Sequence, residues 1–337
     1  PLLKVMMRKV IKQGHNTLTL TLPSEWVKAL NVKPGDELEV AEKNGNLLVS
    51  SEGHFEDKPA IIDITNFTIP LLWRFFQSAY RSGCNEIKVL FDTNRKVCED
   101  AYHFYTSQFD YSKLGEKVPS KPPIVMIQGV VDRFIGMGII ETGKSYCIVR
   151  EMGESTIKEF DNSLRRIFLV ILQMFDRLIE ALSNDEFGDS DFCKEIHTID
   201  LNIDRFVDYC CRILNKKHAS FSDHEKMLLF STLFLLELVG DEFKYAGKHI
   251  ALSKESLKGV LPLAKMAKAH FEMYYHLFYK FNRDAAIKFG NNDYNIYQEH
   301  FKIKQKLNEQ SKSMSGHFMM ISKFTLSLVE LRIEKEY

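Results

Sequence analysis

The sequence has no net charge, no long apolar run and no paired cysteine motif. Lysine and arginine together number 45, as do aspartate and glutamate, in 337 residues. This balance excludes a uniformly basic nucleic-acid-binding protein but leaves room for a local basic patch. Hydrophobic residues make up 45% of the chain, which excludes wholesale disorder. No apolar run reaches the roughly 20 residues of a membrane-spanning helix, and at about 150 residues per domain we expect two or three domains.

The six cysteines form no Cys-X-X-Cys pair, and the amino-terminal residues lack the apolar stretch of a secretory signal. Unpaired thiols are typical of proteins in a reducing compartment. We therefore expect a cytoplasmic protein.

Residues 1–52 have the pattern of a small β domain. Threonine and leucine alternate over residues 17–22, which is the period of a strand with one buried face. Pro23 is expected to end this strand, and Ser24 to cap a short helix. Asn44 and Gly45 favour a hairpin between two further strands. Because about fifty residues bury little core on their own, dimerisation is expected.

The order of these elements resembles the SpoVT/AbrB domain over about 45 residues. The matching segments are Arg8–Gly14, Leu18–Leu22, Pro23–Trp26, Leu30–Val32 and Pro34–Val40. Members of that family dimerise by exchanging hairpins and present basic residues to DNA. The resemblance therefore implies a homodimer that binds duplex DNA. The residues that it implies at the DNA are Arg8, Lys9 and Lys12, with His15 and Asn16 in the loop that follows.

The charge distribution supports this interpretation. Residues 1–15 hold four basic side chains and no acid. Each cation placed near the phosphates of duplex DNA releases counterions, and a two-fold dimer doubles the number of cations. Two alternatives remain open, namely ordinary solvated charges on a strand and a head that only dimerises.

Residues 53–150 are predicted to form a small α/β domain. The predicted strands are Ala60–Ile64, Glu86–Phe91, Ile124–Gln128 and a weaker one over Ile139–Tyr146, and the predicted helices are Pro70–Arg81 and Arg95–Gln108. The segment contains no phosphate-cradling glycine loop, nucleophile elbow or His/Cys metal cluster. We therefore expect it to link the other two domains.

Residues 151–337 are predicted to be helical throughout. Pro262 is the only proline after Pro123, and apolar residues recur at spacings of three and four. Sequence breaks divide the segment into six helices, which we expect to form a bundle. The predicted helices are 154–182, 191–216, 224–250, 255–280, 284–310 and 316–337. An acid-X-X-X-acid pair after the apolar run of the third and sixth helices favours two three-helix repeats, over about 151–250 and 254–337.

Carboxylates four residues apart recur on these helices. The pairs are Asp200 and Asp204, Glu237 and Asp241, and Glu330 and Glu334. Residues i and i+4 share one face of a helix, so the two carboxylates repel each other unless a cation or a shared proton relieves them. An all-oxygen site suits a hard cation, iron or manganese better than copper. Because no general base or substrate pocket is evident, we expect no metal-assisted hydrolysis and no other enzymatic activity.

The segments Ile199–Asp204 and Leu236–Asp241 resemble PhoU, the phosphate-uptake regulator, whose acid pairs bind metal clusters on the bundle surface. The resemblance implies metal ligands at Asp200, Asp204, Glu237 and Asp241, and more weakly at Glu330 and Glu334, with iron, manganese, zinc or magnesium as the metal. Lysines in residues 301–306 stand where that family has acids, and they offer Glu330 and Glu334 another partner. For all six carboxylates the alternative is a solvated helix face.

The sequence thus predicts a multidomain α+β protein with a swapped-hairpin β domain (residues 1–52), a small α/β domain (53–150) and an all-α bundle (151–337). A SpoVT/AbrB-like head joined to a PhoU-like bundle resembles the phosphate-uptake regulators of archaea. We hypothesise a dimeric DNA-binding transcriptional regulator of phosphate uptake, whose bundle senses phosphate status through a metal or a protein partner. The alternative is a cytoplasmic adaptor that docks on a phosphate transporter or signalling kinase, with the head serving only dimerisation.

Overall fold

The computed structural model describes residues 7–14, 17–43, 46–51, 59–65, 69–93, 122–153, 156–188, 190–216 and 221–337. The chain divides into two compact units, residues 1–57 and residues 58–337. The predicted helix Arg95–Gln108 lies outside the described residues, as do His15, Asn16 and the predicted hairpin turn at Asn44 and Gly45.

The first unit, which we call the head, consists of two β-hairpins and a short helix. Its elements are β1 (Ile11–Gln13), β2 (Thr17–Thr19), α1 (Ser24–Ala29), β3 (Leu38–Lys43) and β4 (Asn46–Ser51). β1 pairs antiparallel with β2, and β3 pairs antiparallel with β4. The two predicted strands on either side of Asn44 and Gly45 are confirmed, whereas the strand predicted over residues 17–22 is confirmed only over Thr17–Thr19. The prediction that Ser24 caps the helix is wrong, because the extended residue before α1 is Pro23 and Ser24 is the first helical residue.

The head has little core within one chain. None of its described side chains is buried, and Leu18 and Val40 are 69% and 58% exposed. Leu18 lies in β2 and Val40 in β3, so the apolar positions of both hairpins face solvent. A domain of this size with its apolar residues exposed gains its hydrophobic stabilisation from a further surface.

The second unit begins with a four-stranded mixed sheet. Its elements are β5 (Pro59–Asp63), α2 (Ile69–Arg81), β6 (Glu86–Leu90), α3 (Pro123–Val131), β7 (Met137–Thr142) and β8 (Tyr146–Glu151). The strand order is β5-β6-β8-β7. β5 and β6 are parallel and are joined through α2, whereas β8 runs antiparallel to both of its neighbours.

The predicted strand Ile124–Gln128 is wrong, because these residues belong to helix α3. Pro122 precedes the helix and Pro123 occupies its first turn, a position that favours proline because its fixed φ is already helical. The buried residues Met126, Ile127, Val130 and Val131 recur at helical spacing. A short apolar run has no period of its own that separates a buried strand from a buried helix.

The structure describes six long helices after the sheet, and the first three lie within about three residues of their predicted bounds. The six helices are α4 (Ile157–Asn184), α5 (Ser190–Lys216), α6 (Asp223–Leu252), α7 (Leu261–Tyr279), α8 (Arg283–Lys304) and α9 (Glu309–Glu334). The predicted division between helices 284–310 and 316–337 is misplaced, because one helix covers Glu309–Glu334 and is capped by Asn308. Capping boxes at Thr156 and Ser222 begin α4 and α6, where each side chain accepts from an otherwise unpaired backbone N–H. α5 packs on α4 and α6, α8 packs on α7 and α9, and the two sets of three meet through α6 with α9 and α4 with α7. Among the described residues, no helix combines the length and apolarity required to cross a membrane.

The sheet segment, which consists of β5–β8 with α2 and α3, shares one compact unit with helices α4–α9 because α2 packs on α5. The buried Arg212 of α5 donates to the carbonyl oxygens of Tyr80 and Cys84, at 2.9 and 3.0 Å. Its guanidinium also lies 3.0 Å from the carboxylate of Glu151, at the end of β8. These contacts fix α5 against both α2 and the sheet.

Candidate nucleic-acid interface and carboxylate cluster

The basic residues predicted to contact DNA lie on the exposed amino-terminal edge of the head. Arg8 and Lys9 precede β1, Lys12 lies within it, and all three side chains are exposed. Gly14, with a φ of 73°, follows β1 and begins the connection to β2. A left-handed φ of this kind is accessible to glycine without strain. The three cations are therefore available to a polyanion.

Five carboxylates of α5 and α6 lie at the contact between these helices and the sheet segment, and we call them the carboxylate cluster. They are Asp200, Asp204, Asp208, Glu237 and Asp241. The first three are spaced four residues apart on α5, so they share one face of that helix. Asp208 extends the predicted set of four, and its spacing is the signal that identifies it.

Within the part of the chain that the structure describes, three cations face the cluster, and two of them come from the sheet segment. Arg81, the last residue of α2, lies between Asp208 and Glu237, with N–O distances of 2.5 and 3.1 Å. Arg133, which follows α3, reaches Asp204 at 3.4 Å. These ion pairs connect the sheet segment to both acidic helices.

The third cation belongs to α6 itself. Lys244 Nζ lies 2.8 Å from Oδ2 of Asp200 and 2.5 Å from Oδ1 of Asp241. Asp200 is fully buried, and its Oδ1 has no hydrogen-bond partner among the described residues. A Cβ placed on Gly240 would lie 2.7 Å from that oxygen. The glycine therefore allows α5 and α6 to approach closely at Asp200.

Burial changes the protonation of the cluster. It raises the pKa of Glu237 to about 7 and that of Asp208 to about 6, although the charge of Arg81 opposes both shifts. Burial, followed by repulsion from Asp204, raises the pKa of Asp200 well above its usual value. Burial opposes the charge on Arg81, but Asp208 and Glu237 outweigh it and raise the pKa of the guanidinium. Burial therefore favours the protonated form of these carboxyls, whereas the neighbouring carboxylates favour the charged form of Arg81.

The cluster in this geometry is a network of salt bridges. Lys244 lies between two of its carboxylates, and Arg81 lies between two others. Within the described ranges, no three His, Cys, Asp or Glu side chains are grouped to hold a metal ion. Arg81 and Lys244 therefore lie where the PhoU resemblance implies a metal ion, and metal binding here stays a prediction.

Glu330 and Glu334 lie apart from the cluster, exposed near the carboxyl end of α9. The lysines of residues 301–306 were their alternative partners. One of these, Lys302, forms its ion pair with Glu299 on its own helix, at 3.3 Å.

Sequence reasoning found the acids of the cluster but missed the cations. Lys244 follows Asp241 by three residues on one helix, a local spacing that identifies an ion pair. Arg81 is 127 residues from Asp208, and Arg133 is 71 residues from Asp204. No local pattern connects residues so far apart.

Comparison with known proteins bears on the head alone. Residues 11–57 match a family model described as "Antidote-toxin recognition MazE, bacterial antitoxin". The match contains all four strands of the head and supports a SpoVT/AbrB-like domain, a class whose members commonly dimerise and bind DNA. No curated protein and no solved structure matches the chain. The PhoU resemblance gains no support from these comparisons.

Proposed function

We propose that the protein is a homodimeric DNA-binding regulator whose head contacts duplex DNA. Its second unit (residues 58–337), which we call the helical unit, controls that contact. The observation that carries the proposal is the exposed set Arg8, Lys9 and Lys12 beside a domain that matches the MazE family model. In a two-fold dimer, the three cations of each head provide six phosphate contacts. The role is regulatory rather than enzymatic.

The exposed apolar side chains of the head support the dimer. Leu18, Leu20, Val40 and Leu47 are all more than half exposed in the single chain. Burial of such side chains stabilises by about 25 cal/mol for each Å² removed from water. A second copy of the same domain is the partner that the family similarity favours, since a two-fold interface buries the same patch on both chains.

The finer part of the proposal assigns the regulated process to phosphate uptake. Its support is the resemblance of Ile199–Asp204 and Leu236–Asp241 to PhoU and the arrangement of α4–α9 in two sets of three. Through the carboxylate cluster, the helical unit would respond to a metal ion or to a protein partner. With all five carboxylates ionised, the three cations leave an excess of two negative charges, which a proton or a divalent cation would relieve.

The test of DNA binding is fluorescence anisotropy of labelled duplexes over a salt series. The duplexes are the upstream region of the protein's own gene, that of a phosphate transporter gene, and a scrambled sequence. The variant Arg8→Ala/Lys9→Ala/Lys12→Ala removes the cations of the head. A matched control, Lys302→Ala/Lys304→Ala/Lys306→Ala, removes the same number of exposed charges from the helical unit.

For the wild type we expect a preference for the upstream regions and a steep salt dependence. Each lost phosphate contact lowers the magnitude of the slope of log K against log salt by about 0.9. The slope of the head variant should therefore be smaller than that of the wild type by up to about five, and the slope of the control should be unchanged. Equal loss in both variants, or no binding at low salt, would refute the DNA-binding role. Preference for the protein's own upstream region alone would refute the assignment to phosphate uptake.

A second candidate function is that of an antitoxin, because the matched family model bears that description. The helical unit would then bind a toxin, and the head would regulate the expression of both. Purification of the chain from its native cells distinguishes the candidates. A stoichiometric small partner whose expression alone stops growth would favour the antitoxin, whereas a co-purified phosphate transporter subunit without DNA would favour the adaptor.

A further inference from the structure

Two histidines face each other where α6 packs on α9, outside the carboxylate cluster. His249 belongs to α6 and His317 to α9. Their Nε2 atoms are 3.3 Å apart, and the rings are tilted by 31°. The pair thus joins the first set of three helices to the second.

Hydrogen bonds at the far side of each ring determine where the protons lie. His249 Nδ1 lies 2.7 Å from Oε1 of Gln310, and His317 Nδ1 lies 2.6 Å from Oε2 of Glu242. Both oxygens are acceptors, so each Nδ1 donates a hydrogen, and in a neutral imidazole the Nε2 is then the acceptor nitrogen. Each Nε2 then presents a lone pair, and the two lone pairs face each other across 3.3 Å. Two such nitrogens attract each other only through a cation between them, either a proton held by one ring or a metal ion bound by both.

We propose that His249 and His317 bind a transition-metal ion of the zinc class through their Nε2 atoms. Two imidazole nitrogens about 2.0–2.1 Å from a tetrahedral zinc ion lie about 3.3 Å apart, which is the separation in this structure. Metal-bound histidines commonly donate their second N–H to a carboxylate or carbonyl oxygen, which orients the ring. Glu242 and Gln310 occupy these supporting positions.

The site is accessible and leaves room for a further ligand. The His317 side chain is 25% exposed, and the half-exposed ring of Tyr245 stacks on it with centroids 5.8 Å apart. The part of the chain that the structure describes holds no group of three metal-ligating side chains, so the pair supplies two ligands. Water or an incoming anion completes the coordination. Imidazole ligands select zinc, nickel or copper over magnesium, which distinguishes this site from the carboxylate cluster.

The test is titration of the full-length protein with zinc chloride, monitored by isothermal calorimetry and by competition with a chromophoric chelator. We expect one zinc ion per chain, with magnesium failing to compete. His249→Asn and His317→Asn should each weaken zinc binding at least tenfold. Glu242→Leu should weaken it 10- to 100-fold, because the supporting hydrogen bond is lost. His224→Asn, which changes an exposed histidine of the same helix, is the matched control and should bind like the wild type.

Three results would overturn the proposal. The first is a wild type that binds no zinc, and the second is undiminished binding by the double variant His249→Asn/His317→Asn. The third is binding lost in Asp204→Asn/Asp241→Asn but kept in the histidine variants, which would assign the metal to the carboxylate cluster. Copper(II) substitution provides an independent measurement that does not depend on affinity, since the electron paramagnetic resonance spectrum should show coupling to two nitrogens in the wild type and to one in each single variant. Circular dichroism of the metal-free variants verifies that they are folded.

Discussion

At the scale of single residues, Gly240 is the position beside the carboxylate cluster that leaves no room for a larger side chain. A Cβ at this position lies 2.7 Å from Asp200 Oδ1 and 3.0 Å from Ile203 Cδ1. Asp200 is fully buried and paired with Lys244, so its carboxylate cannot turn away. We predict that Gly240→Ala lowers the free energy of unfolding by about 1–3 kcal/mol, as overpacking does. Urea denaturation measures the change.

Gly290 on α8 provides the matched control. Nothing lies within 4 Å of a Cβ built there, so Gly290→Ala retains only the gain in helix propensity, of about 0.5–1 kcal/mol. The two glycine substitutions should therefore have opposite signs. Stabilisation by Gly240→Ala would show that α5 and α6 do not approach closely at Asp200.

The carboxyls of Glu237 and Asp208 give the protein a pH dependence within the neutral range. Their pKa values in the folded protein are about 7 and about 6, above the usual values near 4. Between about pH 4 and pH 7 these two carboxyls bind more protons in the folded protein than in the unfolded chain, so their contribution to stability falls as pH rises. Buried histidines act in the opposite direction below about pH 6.5, because burial lowers the pKa of His197 to about 3 and that of His270 to about 4. We predict that the free energy of unfolding decreases by about 1 kcal/mol from pH 6.5 to pH 8, the range in which Glu237 loses its proton and the buried histidines no longer oppose the change.

Glu237→Gln should make this decrease shallower, because it removes one of the titrating groups. The exposed substitution Glu330→Gln should leave the slope unchanged. Urea midpoints at several pH values measure both. Carboxyls whose pKa is lowered, such as Glu159 at its capping box, act in the opposite direction, but only near and below pH 4.5. An identical slope in Glu237→Gln and the wild type would contradict the prediction.

At the scale of elements, Arg212 holds helix α5 to α2 and the sheet. It is buried, and it donates to two backbone carbonyls while paired with Glu151. We predict that Arg212→Met lowers the free energy of unfolding by about 3–5 kcal/mol, since it leaves buried acceptors and a carboxylate without this partner. Chemical denaturation of the full-length protein measures the loss.

Arg150 on β8 forms an exposed ion pair and is the matched control for the buried Arg212. Its ion pair with Glu86 is 2.6 Å long, but its side chain is half exposed, so Arg150→Met should cost about 1 kcal/mol or less. Similar costs at the two arginines would mean that α2 and α5 are held together by apolar packing rather than by the guanidinium.

At the scale of the whole molecule, the exposed apolar side chains of the head predict a dimer. Light scattering after size exclusion should give about twice the chain mass of 39.2 kDa. Leu18→Asp should return the protein to the monomer mass without unfolding the helical unit, because Leu18 is exposed in the single chain. Ile287→Asp, at an exposed apolar position of α8, is the control. A wild type that stays monomeric at micromolar concentration would refute the dimer.

Local sequence patterns predicted the elements that bury one face with a clear period. The spacing of Leu164, Ile167 and Ile171 in α4, with Thr156 and Glu159 at its start, specifies an amphipathic helix with a capping box. The alternation in Thr17–Thr19 also predicts a strand, although neither face of this strand is buried in the single chain. The strand prediction was wrong at Ile124–Gln128, because this apolar run is too short for its own period to separate a strand from a helix.

The sequence alone determined the mixed α+β class, the head with its basic edge, and the acid spacing on α5 and α6, because each depends on residues close together in the chain. Only the tertiary structure decided what faces those acids. Arg81 and Arg133 reach the cluster because α2 and α3 share a compact unit with the bundle. The same holds for His249 and His317, 68 residues apart, whose contact arises from packing of α6 on α9. Charge pairing over such distances depends on packing, which no local periodicity encodes.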